Sequence, residues 1–162
     1  MGYERLMSVL DPTDRLLINE LQRDARQTNR ALAGKAGLAP STTLGRVREL
    51  ERTGVITGYH AEVDLSALGR GLQALVFVRL QPKSDEIISN FLNHMWGLPE
   101  TIGIDLITGV EDAVIHLAVA DTDALQAVIL NQISGVEGVF DERTSLLFQH
   151  RRKPIIEALP AQ

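Results

Sequence analysis

The hydrophobic rhythm of this chain changes at Gly54, from helical spacing alone to strands mixed with helices, and that change divides what its two parts can become. Before Gly54, apolar residues recur at three- and four-residue spacing, the period of a helix. After it they alternate, or run together in short β-prone stretches bounded by Gly, Pro and Asp. A helical head followed by a mixed strand-and-helix body is the arrangement this implies. With 162 residues, one long domain or two small ones can each bury a core.

The head reads as three helices. Asp11 caps the first, Pro12 suits its first turn, and Leu16, Leu17 and Leu21 supply its apolar stripe. Thr28 caps a short second helix from Asn29 to Ala36, ended by Gly37, a residue at ease in the left-handed region. Pro40 opens a third helix to about Thr53. Two helices joined by a tight Gly-containing turn form a helix-turn-helix. On the third helix Thr43, Leu44, Val47 and Leu50 are spaced to pack inward. Ser41, Thr42, Gly45, Arg46, Arg48, Glu49 and Arg52 remain outside. Small residues at the helix start with guanidinium groups beyond suit a helix laid in a major groove. The same spacing equally suits an amphipathic surface helix with solvated arginines.

Charge follows the same division. The whole chain carries a net of −5 with a pI of about 5.3. Residues 1–58 have nine Lys+Arg against seven Asp+Glu, whereas residues 59–162 have seven against fourteen. A mildly basic head on an acidic body is the asymmetry of a nucleic-acid module joined to something else. Aromatic content of 4% leaves little for stacking on single strands, so duplex DNA is the better partner.

Residues 55–64 alternate β-formers around Gly58 and read as a hairpin or wing, and Leu65 to Gly69 as a turn. The body then reads as strand Leu72–Leu80, helix Ser84–Met95, strands Thr101–Thr108 and Ala113–Ala120, a helix capped by Asp121, and a strand of about Phe140–Gln149. The order βαββαβ is the ferredoxin-like arrangement, an antiparallel sheet with both helices on one face. The other face still reads as apolar, which predicts self-association across it. The fold class is therefore α+β: an N-terminal winged helix-turn-helix linked to a ferredoxin-like domain. Its divisions are a flexible extension at 1–9, a DNA-binding head at 10–58, a linker at 59–70, an effector-binding and oligomerisation body at 71–150, and a tail at 151–162.

Several chemistries are disfavoured. No apolar stretch approaches the length that spans a bilayer, the first residues carry no secretory pattern, and a cytoplasmic protein without membrane attachment is expected. Cysteine is absent, which removes thiol catalysis and thiolate zinc. His60, His94, His116 and His150 are scattered with no helical pairing, so neither a metal site nor catalytic residues are expected. Trp96 reads as a core or interface anchor. Arg151, Arg152 and Lys153 read as a solvated tail, able to touch phosphate only if folded back.

Residues from both parts resemble the Lrp/AsnC family of leucine-responsive, or feast/famine, regulators. In the head the resemblance rests on Leu10-Asp11-x-x-Asp14, Leu21-Gln22-x-Asp24-Ala25-Arg26, Leu32-Ala33, Gly37-Leu38, Arg46-Val47-x-x-Leu50-Glu51 and Gly54-Val55-Ile56-x-Gly58-Tyr59. In the body it rests on Thr108-Gly109-x-x-Asp112 and Gly135-Val136, with Thr144 downstream. It implies a transcription regulator whose DNA affinity or assembly responds to a small effector, an amino acid, with no other cofactor. It also implies homodimers, joined through sheet and linker strands, that assemble into tetramers or octamers. The effector site implied lies at a contact between dimers, around Thr108, Gly109, Val110, Glu111 and Asp112, with Asp105, Thr122 and Ser145 on its walls. Gly109 frees backbone N–H groups for a carboxylate, and Asp112 suits an α-ammonium. Read without the family, Gly-x-x-Asp is more simply a plain hairpin turn with a capping Asp, among the commonest of turn sequences.

Two departures from the family pattern stand out. Ala39 occupies the cap position where Ser is common, and Glu111 replaces an aromatic before Asp112. Asp105, Glu111 and Asp112 together read as an acidic pocket, which predicts preference for a basic amino acid over leucine. Siroheme decarboxylases share this architecture, and His116 and Arg79 are the residues such an enzyme would need around a porphyrin. A third alternative is an effector-binding module with no DNA function.

Overall fold

The computed structural model describes residues 10–159, so the extension expected at 1–9 and the last residues of the tail lie outside the described part. Two compact units divide the chain. One holds residues 10–61 together with 151–159, and the other holds 62–150.

Three helices make the head: α1 (Pro12–Arg23), α2 (Asn29–Ala36) and α3 (Pro40–Arg52). Asp11 caps α1 by accepting the Asp14 N–H at 2.8 Å, and Thr28 caps α2 through Ala31. Gly37 ends α2 at φ +66°, a left-handed conformation that turns the chain sharply into α3. Leu17, Leu32, Ala33, Thr43 and Leu50 are buried between the helices. Leu44, expected among them, is 39% exposed. Residues 55–64 form no strand ladder. An isolated two-stranded ribbon is marginal in water, and this one has a glycine, Gly58, at its centre with no side chain to pack.

After the body, residues 151–159 return to the head. Gln22, near the end of α1, grips the tail backbone both ways: its Nε2 donates to the Ile156 carbonyl at 3.1 Å and its Oε1 accepts the Ile156 N–H at 2.8 Å. Ile156 borders an open cleft of about 500 Å³ lined by Ile18, Leu21, Val55 and Tyr59.

The body contains β1 (Leu72–Leu80), α4 (Asp85–Trp96), β2 (Thr101–Leu106), β3 (Ala113–Val119), α5 (Thr122–Val128) and β4 (Val139–Leu147). The strands lie in the order β2-β3-β1-β4, every neighbour antiparallel, as the ferredoxin-like reading requires. Ser84 caps α4, and Asp121 caps α5, which continues to Ile133 as a wider π turn rather than an α-helix. Ala74, Val76, Val78 and Leu80 of β1 and Ala113, Ile115, Leu117 and Val119 of β3 face the helices. They pack there against Phe91, Met95, Leu125, Val128 and Ile133.

Three expectations about the body need correction. β2 stops at Leu106 rather than Thr108, because the Ile107 N–H closes on the Asp112 carbonyl and residues 107–112 become the loop. Trp96 is not a core anchor: it is 71% exposed, which leaves only the interface half of that expectation. The second sheet face is not uniformly apolar. Register puts Leu75, Phe77, Val114 and Ala118 at its centre, but Gln73, Arg79, His116, Asp105 and Arg143 surround them. The strict alternation of a strand sends those charges to the same face as the apolar residues between them.

Candidate functional site

In the head, α3 presents one face without protein partners. Ser41, Thr42, Gly45 and Arg48 are exposed, and among the described residues no hydrogen bond or ion pair engages the Ser41, Thr42 or Arg48 side chain. A Cβ on Gly45 would meet nothing within 4 Å, so packing does not require glycine there. The helix start is held indirectly. Ala39 offers no side-chain cap, and instead the Asn29 amide of α2 donates to the Pro40 carbonyl at 2.8 Å.

The other two arginines of α3 are engaged. Arg46 Nη1 bridges Asp11 Oδ2 at 2.6 Å and Asp14 Oδ1 at 2.8 Å, binding α3 to the first turn of α1. The Asp14 N–H and then Arg46 hold the Asp11 carboxyl below its ordinary value, while Asp11 and Asp14 raise the already high pKa of Arg46. Arg52 forms a two-pronged pair with Glu49 one turn before it, exposed on both sides. Of the arginines expected to reach out, Arg48 alone stands uncommitted among the described residues of α3.

In the body, the loop between β2 and β3 begins as expected but is braced by cations the spacing did not reveal. Gly109 adopts φ +142°, and Thr108, Gly109 and Val110 are exposed. Asp112 is drawn inward instead. Its Oδ2 accepts the Leu80 N–H at 2.9 Å, its Oδ1 pairs with Lys83 at 2.6 Å, and its own N–H donates to the Val78 carbonyl at 2.8 Å. Lys83, with help from the Leu80 N–H, lowers the Asp112 pKa from its ordinary 3.8 against the opposing effect of burial. Glu111 pairs with Arg143 at 2.8 Å, and that guanidinium also lies 5.0 Å over the Phe77 ring. Asp105 contacts His116 Nε2 at 2.9 Å.

The acidic pocket therefore does not exist as an unbalanced field. Glu111 and Asp112 are each paired with a cation and Asp105 contacts the His116 ring, so the three carboxylates do not stand unopposed as that preference assumed. Nor does one chain gather the whole expected set. The loop lies at the start of β3, whereas Thr122 begins α5 beyond its other end, roughly 20 Å away along seven strand residues. Asp105 on β2 and Ser145 on β4 sit on opposite edges of the sheet, about 14 Å apart across three strand spacings. Lys83 and Arg143 carry no sequence signal. They follow Pro82 and interrupt β4, and only the antiparallel pairing brings them to the loop. His116 and Arg79, the pair a porphyrin would need, are separately engaged by Asp105 and by the Phe140 ring at 5.1 Å.

Comparison with known proteins covers nearly the whole chain. Residues 10–57 match the winged helix-turn-helix DNA-binding model, and residues 73–154 match the Lrp/AsnC ligand binding domain. The chain is 38% identical to the HTH-type transcriptional regulator AldR of Mycolicibacterium smegmatis, covering 88% of this chain and 84% of that one. It is 32% identical to the leucine-responsive regulatory protein of Serratia marcescens, over 91% and 90% of the two chains. In structure it is similar to a transcriptional regulator of Neisseria meningitidis solved as its L-Met complex. The TM-score there is 0.83 at 27% identity, over 93% and 96% of the chains. Escherichia coli AsnC superposes with a TM-score of 0.78 at 26% identity, over 93% and 98%.

Proposed function

Because the chain belongs to the Lrp/AsnC family of transcriptional regulators, we propose that α3 reads duplex DNA through its open face and that the loop 107–112 receives an amino-acid effector. The molecule is a DNA-binding regulator with an effector domain, not an enzyme. The observation that carries the DNA assignment is the row Ser41, Thr42, Gly45 and Arg48, exposed and uncommitted on a helix whose other charged side chains, Arg46, Glu49, Glu51 and Arg52, are paired. Ser41, Thr42 and Gly45 allow α3 to approach base edges closely, and Arg48 supplies a cation for phosphate or guanine. Arg46 has a different part. Bound to Asp11 and Asp14, it sets the angle of α3 against α1. Arg52 reaches phosphate by leaving Glu49, whose charge DNA would repel.

For the effector, the exposed residues Thr108, Gly109 and Val110 offer backbone N–H groups to a carboxylate. Asp112 latches the loop through Leu80 and Lys83 rather than meeting the ligand ammonium. Thr122 stands too far from the loop, and Asp105 and Ser145 too far from each other, to complete the site within one chain, and a second copy would supply what is missing. That fits a homodimer assembled further into a tetramer or octamer, with two recognition helices for half-sites about 34 Å apart. An effector of the amino-acid class is supported by relatives named for leucine and solved with L-Met. A DNA-bound regulator works in the cytoplasm, and no helix among the described residues is long and apolar enough to cross a membrane.

Fluorescence anisotropy on a duplex from the protein's own promoter, at two salt concentrations and with a panel of amino acids, tests this. Tight, salt-dependent binding shifted by one amino acid is expected. No binding to that duplex at low salt would overturn the reading.

A further inference from the structure

We propose that the returning tail is part of the DNA-binding surface: docked on the head, it presents Arg152 and Lys153, with Arg151 beside them, as a second contact to the phosphate backbone. The inference rests on the DNA-binding reading of the head and extends it to a segment separated from α3 by the whole body in sequence.

Three observations carry it. First, the tail is held, not merely nearby. The Gln22 amide donates to and accepts from the Ile156 backbone, at 3.1 and 2.8 Å, as a strand neighbour would. Ile156 itself keeps 70% of its surface exposed, so the clasp depends on those two hydrogen bonds more than on burial. Second, the charged residues just before the clasp face water. Arg152 and Lys153 are exposed, and among the described residues neither has a protein partner. Pro154 follows directly and disfavours a helical Lys153, keeping the segment extended with its side chains outward.

Third, docking sorts the charge of the molecule. Residues 10–61 hold eight Lys+Arg against six Asp+Glu, a net of +2. Residues 151–159 hold three against one, another +2, so the tail doubles the head's net charge. The body, residues 62–150, has four against thirteen, a net of −9. A basic segment that follows an acidic body ends on the one unit that meets a polyanion. The head gains from it, because Arg46 of α3 is committed to Asp11 and Asp14 and Arg52 must first leave Glu49. The contact is to phosphate, and so independent of base sequence.

The test titrates the full chain against its own-promoter duplex and a random duplex over a series of salt concentrations. Every phosphate that a variant no longer neutralises takes about 0.9 off the slope of log affinity against log salt. R152A/K153A is expected to bind both duplexes several-fold more weakly with a shallower slope, while R152K/K153R keeps the wild-type slope. Q22A, which releases the tail, is expected to show most of the same weakening with all its cations present. Unchanged slope in R152A/K153A beside a wild type that binds would overturn the proposal. So would weakening in R152A/K153A with none in Q22A, since the cations would then act without the docked position. Circular dichroism melting of each variant verifies that the head is folded. A wild type that binds neither duplex would strike the DNA-binding reading itself, a result distinct from the other two.

Discussion

Single residues in this protein often serve two neighbours, and the second partner is what spacing conceals. Asp11 is legible as a helix cap, yet its other oxygen takes Arg46 from thirty-five positions away. Tyr59 donates its hydroxyl to Glu51 at 2.9 Å, and burial first, then that acceptor, pushes its pKa to about 12. The shift stabilises the folded protonated form, so its contribution is whole below the ordinary value of 10 and fades as pH rises through 12. Ultraviolet titration of the wild type minus Tyr59→Phe should isolate one phenol ionising near 12; a step near 10 would contradict both the burial and the Glu51 contact. Gly138 is legible only as a turn residue. At φ +91°, a Cβ there would fall 2.3 Å from Ile87 Cγ2. Gly138→Ala should cost about 1–2 kcal/mol in backbone conformation and about 1–3 kcal/mol more in displacing Ile87, measured by urea unfolding.

At the level of elements, the helices were legible almost to the residue because their punctuation is local. Asp11, Thr28 and Asp121 all cap as their sequence positions imply, Ser84 caps a helix it was expected to begin, and Gly37 turns left-handed where the reading needs it. What failed to be legible depends on distant partners. The hairpin at 55–64 has alternation but no ladder, and the carboxylates around the loop looked unopposed because Lys83 and Arg143 arrive through strand pairing. Ala39 is the one uncapped α-helix start among the described residues. Ala39→Ser should add about 0.5–1 kcal/mol to stability, read from the denaturation midpoint at unchanged slope. The loop latch is sensitive to acid. The depressed Asp112 pKa contributes stability above pH 3.8, lost as the pH falls through the lower folded value. Asp112→Asn should lower stability at neutral pH and flatten its decline below about pH 4, and the Leu80 amide should exchange faster.

Over the whole molecule, charge and topology are arranged together. The sequence shows a basic beginning and an acidic remainder, and it hides that the final basic stretch rejoins the beginning. The division of units makes the acidic body an excursion from the head: the chain leaves at residue 61 and is back by 151. Phe91 and Met95 anchor that excursion's own core at full burial, so it closes independently of α1–α3. Phe91→Ala should cost about 3–5 kcal/mol there. Hydrogen exchange should report the destabilisation at β1 and β3 while leaving amides of α2 near their wild-type rates.

The return of the tail also sets a timetable for each new copy. A ribosome releases α1 early, with the Gln22 amide still facing water, and must then translate the entire body before Ile156 emerges. At about 5–20 residues per second, the 134 positions between the two take roughly 7–25 s. The body has time to fold while the head is still unfinished. A nascent chain threaded among the nucleic acids of its own translation machinery thus carries its regulator head at half its eventual net positive charge, and gains the rest on release.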